Sequence, residues 1–123
     1  MNIAIFADIH GRIALAFKLC ARWQHETDQQ IDLILQAGDL GAFPDEARLD
    51  RATIKYALND PTELGFMQHF THYDPDIVEL LAQTTCKLIF IRGNHEDHVW
   101  LDSLEQQADT PCLLYTSDAA DDL

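Results

Sequence analysis

Three short polar clusters contain the residue types that bind metals and move protons. Aspartate and asparagine offer hard oxygen ligands, and histidine offers an imidazole nitrogen. This mixture suits borderline divalent metals such as manganese, iron(II), zinc or nickel. A single Asp-x-His or Gly-Asp is common in turns, so a metal site is indicated only if the clusters meet in space. The clusters are Asp8-Ile9-His10-Gly11, Gly38-Asp39-Leu40 and Gly93-Asn94-His95-Glu96.

Each polar cluster directly follows a continuous apolar run. The runs are Ile3–Ala7, Leu33–Leu35 and Leu88–Ile91. Continuous rather than alternating apolar residues predict strands that are buried on both faces of a parallel sheet. The carboxyl ends of neighbouring parallel strands meet at one edge, which is where ligands bind in open α/β sheets. The sequence therefore predicts one site built from all three clusters.

Helices are predicted between these strands. Ile13, Phe17 and Cys20 recur at helical spacing and predict a helix over residues 13–29. The segment 43–85 is long for one crossover, and its prolines mark the starts and breaks of several short helices. We expect helices from Pro44 to Asp60, over Leu64–Phe70, over Ile77–Gln83 and over Glu96–Gln107. The pattern predicts an α/β fold and shows no internal domain boundary.

The composition is that of one globular domain with an acidic surface. The chain has 123 residues, with 8 Lys and Arg against 21 Asp and Glu, and a formal net charge of −13. Such a surface repels nucleic acid and anionic membranes, so non-specific binding to either is not expected. No apolar run approaches the ~20 residues of a membrane helix, and no secretory signal is visible. Three scattered cysteines favour a reducing cytoplasm.

The ordered set Asp-x-His, Gly-Asp and Gly-Asn-His-Glu resembles the motifs of the calcineurin-like metallophosphoesterases, over residues 1 to about 111. The resemblance implies the N-terminal half of an αββα sandwich, with mainly parallel strands and covering helices. It also implies a dinuclear metal-dependent phosphoesterase, which hydrolyses phosphate mono- or diesters with a metal-activated water. Two metals about 3.5–4 Å apart suit this reaction because they acidify a water and bind the phosphoryl oxygens.

The resemblance assigns metal-binding roles to four residues. It implies that Asp8 and His10 bind the first metal, that Asp39 bridges both metals, and that Asn94 binds the second. The expected cofactors are therefore two divalent ions of manganese, iron, zinc or nickel. The expected substrate is a phosphate ester.

Three residues near the third strand have other expected roles. The resemblance implies that His95 contacts the leaving-group oxygen as the catalytic histidine, with a nearby acid to orient it. Glu96 is expected to support the loop. Arg92 is expected either to reach a substrate phosphate or to be a charge at the end of the strand.

The C-terminal end departs from the family pattern. The further histidines that complete the metal shells in this family are absent from the sequence. Residues Cys112–Asp122 resemble the conceptual translation of a transposase-type sequencing adapter. We therefore expect a partial phosphoesterase domain over 1–111, a non-natural tail over 112–123, and a parent protein that continues past Pro111. Such a fragment is expected to have little activity and to expose an apolar face or edge.

Two other functions are compatible with an α/β chain. The alternative reading is a non-catalytic phosphoesterase-like scaffold that binds a protein partner, although the intact ligand set argues against it. An unrelated nucleotide-binding domain is disfavoured, because the sequence has neither a glycine-rich dinucleotide fingerprint nor a P-loop.

Overall fold

A parallel sheet organises the computed structural model, which describes residues 1–107 and 114–116. The described strands pair in the order β1-β2-β3-β4, all parallel. The predicted α/β class, with parallel strands at all three apolar runs, is confirmed. The strands are β1 (Ile3–Phe6), β2 (Leu33–Ala37), β3 (Lys87–Arg92) and β4 (Leu114–Thr116). Strand β4 falls within segment 112–123. A strand there does not show where the segment comes from, so its non-natural origin stays a prediction.

Five α-helices and two short 3-10 helices connect the strands within the described part of the chain. The 3-10 helices are Glu46–Arg48 and Pro61–Leu64. No described helix is long and apolar enough to cross a membrane. The α-helices are α1 (Ile13–Thr27), α2 (Arg51–Ala57), α3 (Gly65–Phe70), α4 (Pro75–Ala82) and α5 (His98–Gln107).

The described core lies on one face of the sheet. Alternate strand residues such as Ile34 and Phe90 point to this face, where helices α1, α4 and α5 contribute to the same cluster. The apolar stripe of α1 predicted its packing, since Ile13, Phe17 and Cys20 are all buried there. The face with the helices thus fixes the positions of all three strands that carry the polar clusters.

The other face of the sheet corrects one expectation. The continuous apolar runs predicted burial on both faces, but Ile3 is 44%, Ile5 69% and Ile91 41% exposed. These residues alternate with the core residues, so they share the opposite face of the pleated sheet. The prediction of burial on both faces is wrong for this face, and the expected exposed apolar face is confirmed.

The start of the crossover after β2 differs from the predicted single helix. The helix expected from Pro44 is divided into the 3-10 helix Glu46–Arg48 and α2. The cause is Asp50, whose side chain accepts a hydrogen bond from Thr53 N–H at 2.7 Å. An N-cap residue has an extended backbone, and Asp50 has φ −75° and ψ 165°, which interrupts the helix.

The exposed apolar face generates a prediction about self-association. We expect the chain to self-associate through this face. The double change Ile3→Thr/Ile5→Thr should increase the monomeric fraction, because threonine removes apolar surface but is still a β-branched residue that suits a strand. Sedimentation velocity over a concentration series measures this fraction. Leu58 and Val99 are 82% and 71% exposed elsewhere, so Leu58→Thr/Val99→Thr is the matched control. A wild-type chain that stays monomeric, or an equal gain in the control, would contradict the prediction.

Candidate metal centre

The loops that follow β1 and β2 lie side by side at the carboxyl edge of the sheet. The N–H of Asp8 donates to the carbonyl of Gly38 at 3.1 Å, and the N–H of His10 donates to that of Asp39 at 3.0 Å. A third bond of 2.7 Å joins Gly11 N–H to the Leu40 carbonyl. The hydrogen-bond ladder therefore continues past the strands and brings the first two polar clusters together at the carboxyl edge, where the sequence predicted them to meet.

Asp8, His10 and Asp39 form a group that can hold a metal ion. One ligand atom from each residue lies within 4.8 Å of the other two. His10 Nε2 is 4.0 Å from Asp39 Oδ2. Two carboxylates this close repel one another unless a cation or proton lies between them. Oxygen donors combined with an imidazole nitrogen fit a borderline divalent metal, so the residues present suit the ion that the sequence implied.

The backbone at these three residues is strained. Asp8, His10 and Asp39 have φ values of 52°, 44° and 53°, in the left-handed region that favours glycine. Such conformations cost about 1–3 kcal/mol each and persist where the surrounding structure holds them. The fourth described non-glycine residue with positive φ is Asp28, which ends α1. Strain is thus concentrated at the group of possible ligands.

The loop after β3 lies against Asp39. The N–H of His95 donates to Asp39 Oδ1 at 2.9 Å. A Cβ atom on Gly93 would lie 2.1 Å from the same oxygen, so only glycine allows this approach. Asn94 lies between these two residues and is exposed. Its place in the loop agrees with the expected site, and its coordination of a second metal stays a prediction.

His95 has an acidic partner that no sequence motif identified. Its Nδ1 is 2.7 Å from Oδ2 of Asp50, and its ring centroid is 5.2 Å from that of His10. Burial lowers the pKa of His95, but the hydrogen bond and charge of Asp50, with the charges of Asp39 and Glu96, raise it above its usual value overall. Asp50 is thus the acid that orients the ring of His95, and it lies within the range where the sequence predicted a single helix, from Pro44 to Asp60.

Glu96 connects the loops after β2 and β3. Its carboxylate accepts hydrogen bonds from the N–H groups of Gly41 at 2.7 Å and Gly93 at 2.8 Å. It also accepts from Leu40 and Ala42, both at 3.2 Å. The side chain is buried, so each of these amides exchanges water for a charged acceptor. This position is what was expected of a residue that supports the loop.

Arg92 is buried and faces α5. Its Nη1 is 2.7 Å from Asp102 Oδ1, and its Nη2 is 2.9 Å from Glu105 Oε1. Only 2% of the side chain is exposed. A contact with a substrate phosphate would require both ion pairs to be given up. The structure thus places Arg92 as an anchor between β3 and α5, rather than as the surface charge that was the other expectation.

A second contact attaches the crossover to the loop after β3. Arg48 donates from Nε to Asp97 Oδ2, and from Nη2 to Oδ1 at 2.9 Å. Asp97 follows Glu96 directly and is buried, while Arg48 lies two residues before Asp50. This two-point ion pair holds the segment that presents Asp50 to His95.

The fold and the site together define an α/β protein with a group of possible metal ligands at the carboxyl edge of a parallel sheet. The sequence model of the calcineurin-like phosphoesterase family matches residues 1–119 of the 123-residue chain. The chain therefore belongs to this family, and the resemblance seen in its motifs is confirmed. Searches of curated proteins and of solved structures found no match.

The bonds to Glu96 predict its effect on stability. In Glu96→Gln, an amide NH₂ replaces one carboxylate oxygen and faces backbone donors, so the free energy of unfolding should fall by about 2–3 kcal/mol. Denaturant unfolding measures this loss. Glu79→Gln on the exposed side of α4 is the control, with an expected change within about 0.5 kcal/mol. Equal losses in both variants would show that the four bonds contribute nothing specific.

The pair of His95 and Asp50 predicts a change in titration. Asp50→Asn should lower the pKa of His95, because it removes the carboxylate that raises this pKa, while asparagine still caps α2. An NMR titration of the His95 imidazole measures the shift. Asp45 caps the preceding 3-10 helix in the same way, so Asp45→Asn is the matched control. A His95 pKa that is the same in wild type and Asp50→Asn would rule the pairing out.

Proposed function

We propose that the chain carries part of the site of a dinuclear metal-dependent phosphoesterase. The observation that carries the proposal is the convergence of Asp8, His10 and Asp39, within 4.8 Å, in a member of the calcineurin-like phosphoesterase family. Family membership supports the class of reaction, and the group of possible ligands supports the location of the proposed site. The strained backbone of the three residues supports the same assignment.

We propose the metal-binding roles that the family resemblance implies. Asp8 and His10 would hold one ion, Asp39 would bridge two, and Asn94 would bind the second. We propose manganese, iron, zinc or nickel, because this mixed oxygen and nitrogen set suits them. When bound, such ions acidify a water and neutralise charge on a phosphoryl group.

His95 would act on the leaving group. Its Nδ1 is occupied by Asp50, which leaves Nε2 for a substrate oxygen. The acid fixes the ring orientation and favours the protonated imidazole, so a proton is held for the oxygen that departs. His95 N–H also bonds to Asp39, which ties the position of this ring to the metal group.

The proposed substrates are phosphate mono- or diesters. The excess of acidic residues disfavours non-specific binding of nucleic acid or anionic membranes, so small or specifically recognised esters are preferred. We propose a cytoplasmic location, because within the described residues neither Cys20 nor Cys86 forms a disulfide, which fits a reducing compartment.

The alternative proposal is a non-catalytic scaffold that binds a protein partner. The exposed apolar face of the sheet, with Ile5 at 69% exposure, is the feature that favours it. A scaffold that only binds a partner would not need His95 and Asp50 beside the ligand group, so this pair weighs against the alternative. Metal binding together with turnover separates the two functions.

Metal binding is the first test. We expect one Mn²⁺ or more to bind the chain in isothermal titration calorimetry, and Asp39→Asn to weaken binding at least tenfold, because it removes a charged ligand that faces both others. Asp76→Asn, at the exposed start of α4, is the matched control and should bind as wild type. Binding that is unaffected by Asp39→Asn would place the ion elsewhere.

Turnover is the second part of the test. The longer reading frame, recovered from the source DNA, should hydrolyse a generic aryl phosphate or bis(aryl) phosphate with added Mn²⁺, and Asp39→Asn should abolish this activity. The 123-residue chain should have little activity, because ligands implied by the family pattern are absent. Metal binding without turnover in the longer protein would favour the scaffold.

A further inference from the structure

Both imidazoles at the candidate metal centre have Nδ1 facing an acid of the crossover between β2 and β3. For His95 that acid is Asp50, as described above. For His10, Nδ1 is 4.0 Å from Oε2 of Glu63, while Nε2 is 4.0 Å from Oδ2 of Asp39. The His10 ring thus lies between a possible metal ligand and a glutamate that belongs to none of the three motifs.

We propose that Glu63 is a positioning residue for His10. Its carboxylate keeps the proton of the neutral imidazole on Nδ1, so that the lone pair of Nε2 is directed toward Asp39 and the cation. The separation of 4.0 Å is longer than a hydrogen bond, so the interaction here is electrostatic. A negative charge on one side of an imidazole favours the N–H on that side, which is how acids set the tautomer of metal-binding histidines.

The burial of Glu63 supports this role. Only 11% of its side chain is exposed, and a carboxylate is rarely buried without partners. Arg12 Nη2 lies 3.3 Å from Oε1, which leaves Oε2 as the oxygen that faces His10. Arg12 also pairs with Asp60, so its guanidinium keeps a partner when Glu63 is changed. The glutamate is therefore held by one cation while its second oxygen faces the ring.

The main chain fixes this approach. A Cβ atom on Gly65 would lie 2.0 Å from the carbonyl oxygen of Gly11, and one on Gly11 would lie 2.3 Å from the carbonyl oxygen of Glu63. Two glycines thus allow direct contact between the crossover and the loop after β1. Glu63 and His10 lie beside this contact, so backbone packing brings them together.

The tautomer of His10 tests the proposal without any metal or substrate. With imidazoles neutral, two-bond ¹⁵N–¹H correlation spectra of the wild-type chain should show His10 as the Nδ1–H tautomer. Free histidine favours the Nε2–H form, so Glu63→Leu should shift His10 toward that form. Glu63→Gln removes the full charge but keeps an amide oxygen with a partial negative charge, and should retain part of the preference. Asp60→Asn, which touches Arg12 but not His10, is the control and should match wild type.

Cation affinity tests the consequence for the site and rests on the proposed function. Glu63→Leu should raise the Kd for Mn²⁺ about ten- to hundredfold, and Asp60→Asn should leave it unchanged. An Nε2–H tautomer in wild type, or the same tautomer in wild type and Glu63→Leu, would overturn the role of Glu63. If the leucine variant does not fold, the wild type and Glu63→Gln decide the point. A chain that binds no Mn²⁺ but has Nδ1–H His10 would refute the metal proposal alone.

Discussion

A single buried carboxylate holds the candidate metal centre together. Glu96 accepts hydrogen bonds from four backbone N–H groups, three in the loop after β2 and one in the loop after β3. These donors lie in loops outside the described strands, so without Glu96 water would have to satisfy them. The loop after β1 is bonded in turn to the loop after β2. The acceptor in one loop therefore sets the positions of all three.

This arrangement explains how the strained ligands persist. Asp8, His10 and Asp39 all have a left-handed backbone conformation. In an isolated loop these residues would relax to a conformation of lower energy. Their neighbours are fixed by bonds between loops, and the side chain of Asp39 is fixed by the N–H of His95. The cost of strain at the ligands is therefore offset by hydrogen bonds made elsewhere, at Glu96 above all. A site preorganised in this way loses little conformational entropy when a cation binds.

The sequence predicted the parts of the molecule that depend on local patterns. Apolar runs located β1 to β3, the stripe through Phe17 located α1, and the position of each cluster after a strand located the ligand group. It did not predict Asp50 or Glu63 as partners of the two histidines. Both lie in the crossover, and Asp50 is 45 residues from His95 in the sequence. Contacts over such separations are set by tertiary packing, which no sequence periodicity encodes. Burial of the sheet face that carries Ile3, Ile5 and Ile91 was predicted wrongly. An apolar run shows that a strand is hydrophobic, but it does not show whether another element covers each face.

The crossover and the sheet make different contributions to the same centre. The sheet supplies the candidate ligands, and the crossover supplies acids that face Nδ1 of His95 and His10. An acid at Nδ1 determines which nitrogen carries the proton, and so determines what Nε2 can do. One histidine is thereby suited to donate a proton and the other to donate a lone pair, although the two side chains are chemically identical. The difference arises from the contacts of each ring, since Asp50 bonds directly to Nδ1 of His95, whereas Nε2 of His10 faces Asp39 of the ligand group.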